Sequence, residues 1–227
     1  MSRRRSWQFV HFAAIGVVIM TVVIAGKFPT TGGDFAPGYA VPVYAFEFAQ
    51  TADDVARVFG PIGDPLRSQR IAEMDDGNYW DFPFMTAYSL FLGLFFLAAS
   101  RESGNRFWRL PAGIGFASGV FDGIENWILL GLTADFDALP YLEWLRLPVT
   151  LKFSALVACA FFAGLWFLKQ SGLAWRCVGG VAIALSVVSA LGLIIPHRYA
   201  FLIAIGIGPV WLAQWLFAVV ARRRSLD

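Results

Sequence analysis

The residues best suited to chemistry in this sequence are Asp122, Glu125 and Asn126, which stand within an otherwise apolar run. At about 100° per residue, positions three and four apart share one side of a helix, so these side chains project together. Grouped carboxyls of this kind can bind a cation, exchange protons or act as a general acid and base. Placing an Asp at mid-membrane depth costs about 2.5–3.5 kcal/mol on insertion scales, so a partner is expected. Lys152 heads a stripe of small residues with Ala155, Cys159 and Ala163. That stripe turns Lys152 inward, where it can pair with Asp122 or Glu125. Asp81, Tyr88 two turns further on, and His197 and Arg198 in a later turn are additional candidates for the same site.

Each of these residues also has a plainer role. Asp122, Glu125 and Asn126 can serve as interhelical polar glue. Asp81, directly before Phe82-Pro83, suits a helix N-cap. Glu47, among aromatic residues, reads as a solvated or cap residue.

The elements that must carry these residues are membrane helices. The chain is 58% hydrophobic and 15% charged over 227 residues, a composition foreign to soluble domains. Apolar runs at 7–25, 82–99, 110–132, 148–168, 177–195 and 199–221 are long enough to span a bilayer. Hydrocarbon leaves no unpaired backbone amide in place, so the runs are read as helices. The expected fold is an all-α polytopic bundle of about six transmembrane helices, a single membrane domain over 1–227 with an extracytoplasmic cap at 27–80 between the first two. Pro83, Pro111 and Pro148 are expected in first turns, where a missing N–H costs little. Pro209, beside Gly206 and Gly208, is expected to kink or unwind the last span.

Basic residues give the orientation. Arg3–Arg5, Arg101, Arg106, Arg109, Lys169, Arg176 and Arg222–Arg224 fall on one side, with Glu102 and Asp227 as the acids there. Most acidic residues, including Asp34, Asp53, Asp54, Asp64, Asp75, Asp76, Asp135 and Asp137, fall on the other. The positive-inside rule then places both termini in the cytoplasm, in a topology suited to a bacterial inner membrane. The first run is read as a retained anchor, being longer than a signal-peptide core, although a cleavage site after Val23-Ile24-Ala25 is the alternative. Trp7, Trp108, Trp166, Trp175 and Trp215 are expected in an inner aromatic belt, and Trp80, Trp127 and Trp144 in an outer one.

In the cap, Tyr44, Phe46 and Phe48 alternate with Val43, Ala45 and Glu47, the pattern of a short extended stretch. Thr51 is expected to cap a helix over 52–59 ended by Gly60-Pro61, and Asp64-Pro65 to open a second short helix through Met74. Cys159 and Cys177 are unsuited to an extracytoplasmic disulfide, and no Cys/His cluster or phosphate loop suggests a metal or other cofactor. A net charge of +2, spread by topology, argues against nucleic acid as a partner.

The third span has two faces. Gly115, Gly119 and Gly123 form a small-residue stripe of the kind that lets backbones meet, and Asp122, Asn126 and Thr133 share its arc, with Ser118 and Glu125 on the flank. Phe116, Val120, Phe121, Ile124, Trp127 and Ile128 form the opposite, lipid-facing arc.

Three short patches resemble a group of small bacterial multi-pass membrane proteins of no known activity: Phe46-Glu47; Asp81-Phe82-Pro83-Phe84 with Tyr88; and Asp122 with Glu125-Asn126. The resemblance covers about the first three spans and implies that the patches belong together. The residues are compatible with three functions. The first is binding of a lipid-like or cationic small molecule, or of a membrane-protein partner or second copy, at a buried acidic site. The second is acid–base catalysis on a lipophilic, isoprenoid-like substrate. The third is a proton- or ion-coupled carrier. Binding is the expectation carried forward, since the sequence has neither an enzyme motif nor the internal repeat of many carriers.

Overall fold

The computed structural model describes residues 3–135 and 140–224; Asp137 and Asp227, used in the charge comparison, lie outside the described residues. In chain order come α1 (Arg3–Ile24), a 3-10 turn (Pro37–Tyr39), α2 (Pro42–Glu47), α3 (Ala52–Phe59) and α4 (Arg67–Ser103). A second 3-10 turn (Arg106–Trp108) leads into α5 (Arg109–Ala134), followed by α6 (Pro140–Leu168), α7 (Leu173–Ile194), α8 (Pro196–Tyr199) and α9 (Phe201–Arg224). No strand occurs among the described residues, and the chain is a multi-pass helical membrane protein.

Five helices, α1, α4, α6, α7 and α9, are long and apolar enough to cross a membrane. α5 is a sixth long helix, of 26 residues, but its polar face lowers its hydropathy. It packs between α4 and α6, where it needs less apolar surface. Its contacts with α4 run from Thr133–Asp75 through Asp122–Tyr88, and the α4–α5 turn closes with Ser100 donating to the Asn105 carbonyl. The two helices therefore lie antiparallel along their lengths.

The glycine stripe has the expected consequence. A Cβ on Gly119 would lie 2.6 Å from Ser89 Oγ, and one on Gly115 would lie 2.9 Å from Leu92 Cβ, so α4 and α5 meet at backbone distance. On the other arc Val120, Ile124 and Trp127 are exposed on the outside of the bundle. Phe116 departs from that arc by packing its ring over Gly93 of α4.

Several sequence expectations are corrected. α4 has 37 residues, about 55 Å at 1.5 Å per residue, well beyond the roughly 30 Å hydrocarbon core. It absorbs the short helix expected before Met74, and also Trp80, which was assigned to the cap. Pro83 and Pro148 consequently lie inside α4 and α6; only Pro111 sits in a first turn. The segment 42–47 is helical, begun by Pro42 at its first position. α9 stays helical through Pro209 and is not unwound there. Trp7, Trp108 and Trp166 do not form a belt. They are buried at one end of the bundle, where Trp7 meets Phe217 at 5.1 Å and Trp108 meets Trp166 at 5.1 Å between ring centroids. Burying large rings against one another there outweighs placing them at the interface.

The cap sits over the far end. Thr51 and Asp54 form the reciprocal capping box at the start of α3, and Gly60, with φ +93°, ends it. Arg70 of α4 donates to the Phe59 carbonyl at 3.0 Å and to Asp64 at 2.9 Å, tying the exit of α3 to α4. Asp64 also accepts from the Leu66 amide; that bond and Arg70 hold its carboxyl below the usual range. Gly38 allows the 3-10 turn to rest on α8, since a Cβ would lie 2.2 Å from the Arg198 backbone.

Candidate functional site

α5 turns Asp122, Glu125 and Asn126 into the bundle, and all three are buried. α6 delivers Lys152 from the opposite wall through its small-residue stripe, with Cys159 and Ala163 fully buried below it. The ammonium lies 2.7 Å from Glu125 Oε1 and 3.2 Å from Asp122 Oδ1. Its third partner is Glu47, at 3.0 Å, from the end of α2 in the cap. All three proton positions of the ammonium are thereby used.

Glu47 departs from the solvated or cap role that its sequence context suggests. It is buried and paired, because α2 is helical and directs it under the cap while Phe46 anchors the turn against Phe59 at 5.0 Å. Pro42 as a helix-start signal and the Phe46-Glu47 patch were the available clues. Burial raises the Glu47 carboxyl above its usual range, with the nearby Lys152 charge opposing that effect.

Tyr88 of α4 donates to Asp122 Oδ2 at 2.5 Å, and its ring stacks on Trp211 of α9 at 5.4 Å. Asn126 donates to Asp81 Oδ2 at 2.7 Å. Asp81 therefore bonds across to α5 from the interior of α4, and the N-cap role is corrected. Arg198 is exposed on α8 and is not among the partners of these carboxylates. The three patches of the resemblance thus converge on Lys152, directly or through one bond. Cys159 is buried, Cys177 is exposed, and both are free.

One ammonium serves three carboxyls here, with Asp81 one residue further out, so a bound proton or a further cation must balance the remaining charge. Oε2 of Glu47 and Oε2 of Glu125 are buried and receive no N–H or O–H from another described side chain, and the two carboxyls lie within hydrogen-bond reach of each other, where they can share a proton. Charge-assisted bonds in so dry a place are strong, and leaving one side unpaired is costly. The arrangement can hold a cationic group, accept a donor, or move a proton among carboxyls. Glu47 also lines a cavity of about 370 Å³ between the cap, α6 and the α7–α8 turn. It is the one member of the triad that lines this cavity.

Fold and site together define a polytopic helical membrane protein with a lysine–carboxylate centre beneath a cap. The chain is 31% identical over 191 residues to the glycerol-3-phosphate acyltransferase of Bordetella pertussis, covering 80% of this chain and 77% of that one. The protein of the same name from Bordetella bronchiseptica matches with the same identity and coverage. The chain belongs to this family. No protein-family model matches it, and no solved structure does.

Proposed function

We propose that the chain binds a lipid-like molecule at the Lys152 centre, with the polar end of the ligand entering through the capped cavity. The observation that carries this reading is a buried triad of carboxylates on one lysine, one member of which borders a cavity. Ionisable groups at membrane depth are costly and tend to mark functional sites. Family membership supports a lipid-related role. The distribution of basic residues supports a bacterial cell-membrane protein with cytoplasmic termini and an outer cap.

The test is native mass spectrometry of the detergent-purified protein. Wild type should carry co-purified lipid, and Glu125→Gln and Asp122→Asn should lose it while remaining folded. Equal lipid retention by all three proteins would refute the assignment.

Family membership favours a second reading, in which the centre assists acyl transfer to a hydroxyl of a glycerol phosphate or lipid. Glu47, its carboxyl raised by burial and bordering the cavity, would take the hydroxyl proton as general base while the hydroxyl oxygen attacks the acyl carbonyl; the donor's acyl bond then breaks and its leaving group accepts the proton. Membranes containing the protein, supplied with glycerol 3-phosphate and a labelled acyl donor, should then form labelled lipid, and Glu47→Gln should abolish it. No label above empty membranes would exclude this reading.

A further inference from the structure

The cavity beneath the cap is lined by side chains of opposite charge. Glu47 is nine-tenths buried, its Oε1 on Lys152 and its carboxyl within hydrogen-bond reach of Glu125. Behind it the triad of Glu47, Asp122 and Glu125 shares a single ammonium, so a second cation or donor at Glu47 would supply what the centre lacks. Arg146 lines the same cavity, exposed and with no hydrogen-bond or ion-pair partner among the described residues. Arg146 precedes Lys152 by six residues on α6, about 9 Å along the axis. The guanidinium and the carboxylate therefore approach one cavity from different depths. His197, Gln50 and Thr150 add polar groups to the same wall.

A simple anion would suit Arg146 and be repelled by the carboxylates. A simple cation would suit the triad and leave Arg146 unanswered. A ligand carrying a phosphate and, a few bonds away, a primary ammonium answers both charges at once, since guanidinium is well matched to phosphate oxygens and an ammonium complements the Glu47 carboxylate. The cavity is near the small end of the range for ligand sites, large enough for a headgroup but not for acyl chains. Its wall includes Leu193 and Ile194, at the end of a helix long and apolar enough to span a bilayer. We infer that this cavity recognises a phosphate ester of a primary amino alcohol, with the phosphate at Arg146 and the ammonium at Glu47. If the chain binds lipid as proposed above, this is the feature that selects the head.

The experiment titrates dihexanoyl phosphatidylethanolamine and dihexanoyl phosphatidylglycerol into the full chain in maltoside micelles, reading tryptophan fluorescence. Loss of one charge-assisted hydrogen bond predicts at least about tenfold weaker binding of the glycerol-headed lipid. Glu47→Gln should erase that preference. Arg146→Gln, an exposed change that leaves the folded bundle intact, should weaken both lipids by about tenfold while keeping their order. Soluble phosphoethanolamine serves as competitor: displacement at equal concentration assigns the free ester as occupant, and displacement by the lipid alone assigns the headgroup. Equal binding of both lipids by wild type, or no effect of Arg146→Gln, would overturn the inference and leave lipid binding standing. Binding of neither lipid nor ester would remove both.

Discussion

Replacing Lys152 by Met keeps a long flexible side chain in place and removes the only ammonium at the centre of the site. The Lys152 side chain is 5% exposed, and its partners Glu47, Asp122 and Glu125 are 10%, 4% and 0% exposed. Solvent cannot take over their solvation. Removing one partner of a buried pair typically costs about 3–5 kcal/mol. Here three carboxylates lose their cation, but they can take protons in compensation, which places the loss near the lower figure, about 3 kcal/mol. For a chain of this size that corresponds to a fall of about 6–12 °C in Tm.

The loss also has a predictable pH dependence. Burial holds the Glu47 carboxyl above its ordinary value and Lys152 opposes this, so deleting Lys152 raises it further. A carboxyl with a raised folded-state pKa contributes stability that is fully present below its unfolded value and is lost as pH rises through the folded one. Lys152→Met should therefore recover stability relative to wild type as pH falls from about 7 to about 5. Thermal unfolding in maltoside, followed by tryptophan fluorescence at several pH values, measures both effects. Adding Glu125→Gln to Lys152→Met should restore part of the loss at neutral pH. A Tm within about 2 °C of wild type, with no pH trend, would refute a lysine-held carboxylate centre.

Tyr88→Phe removes the donor to Asp122 and leaves the stack on Trp211; it should cost about 1.5–3 kcal/mol in the same assay. A neutral result would mean that Asp122 is held without it. Gly119→Ala should destabilise the bundle by about 1–3 kcal/mol, because its Cβ would meet Ser89, whereas Gly113→Ala, with open space around it, should not. Equal melting of the two would undo the assignment of faces on α5. For orientation, Ile62→Cys, at a site 97% exposed in the cap, should react with an impermeant maleimide in intact cells, while native Cys177 should react only after permeabilisation. The reverse pattern would invert the topology.

Much of this architecture is legible in the sequence because it is set by local rules. Run length identifies spans, since hydrocarbon thickness fixes how many residues a helix needs. The period of 3.6 places Asp122 and Asn126 on the glycine arc, with Glu125 on its flank, opposite Val120 and Ile124. The Thr51–Asp54 box and Gly60 mark the ends of α3 within a few residues of chain. Lys152 is readable as inward-facing from the small residues that follow it on α6.

What tertiary structure decided is what depends on distant partners. Glu47 and Lys152 are 105 residues apart, and no periodicity links them. Their pairing required α2 to form and the cap to close. α4 runs on through Pro83, turning Asp81 from an expected cap into a partner of Asn126. Trp7, Trp108 and Trp166 leave the expected belt because neighbouring helices offer aromatic surface at that level. Propensity and hydropathy describe a helix and its faces one at a time; which face meets which neighbour depends on packing, and the charge balance of the site emerges only when four elements meet.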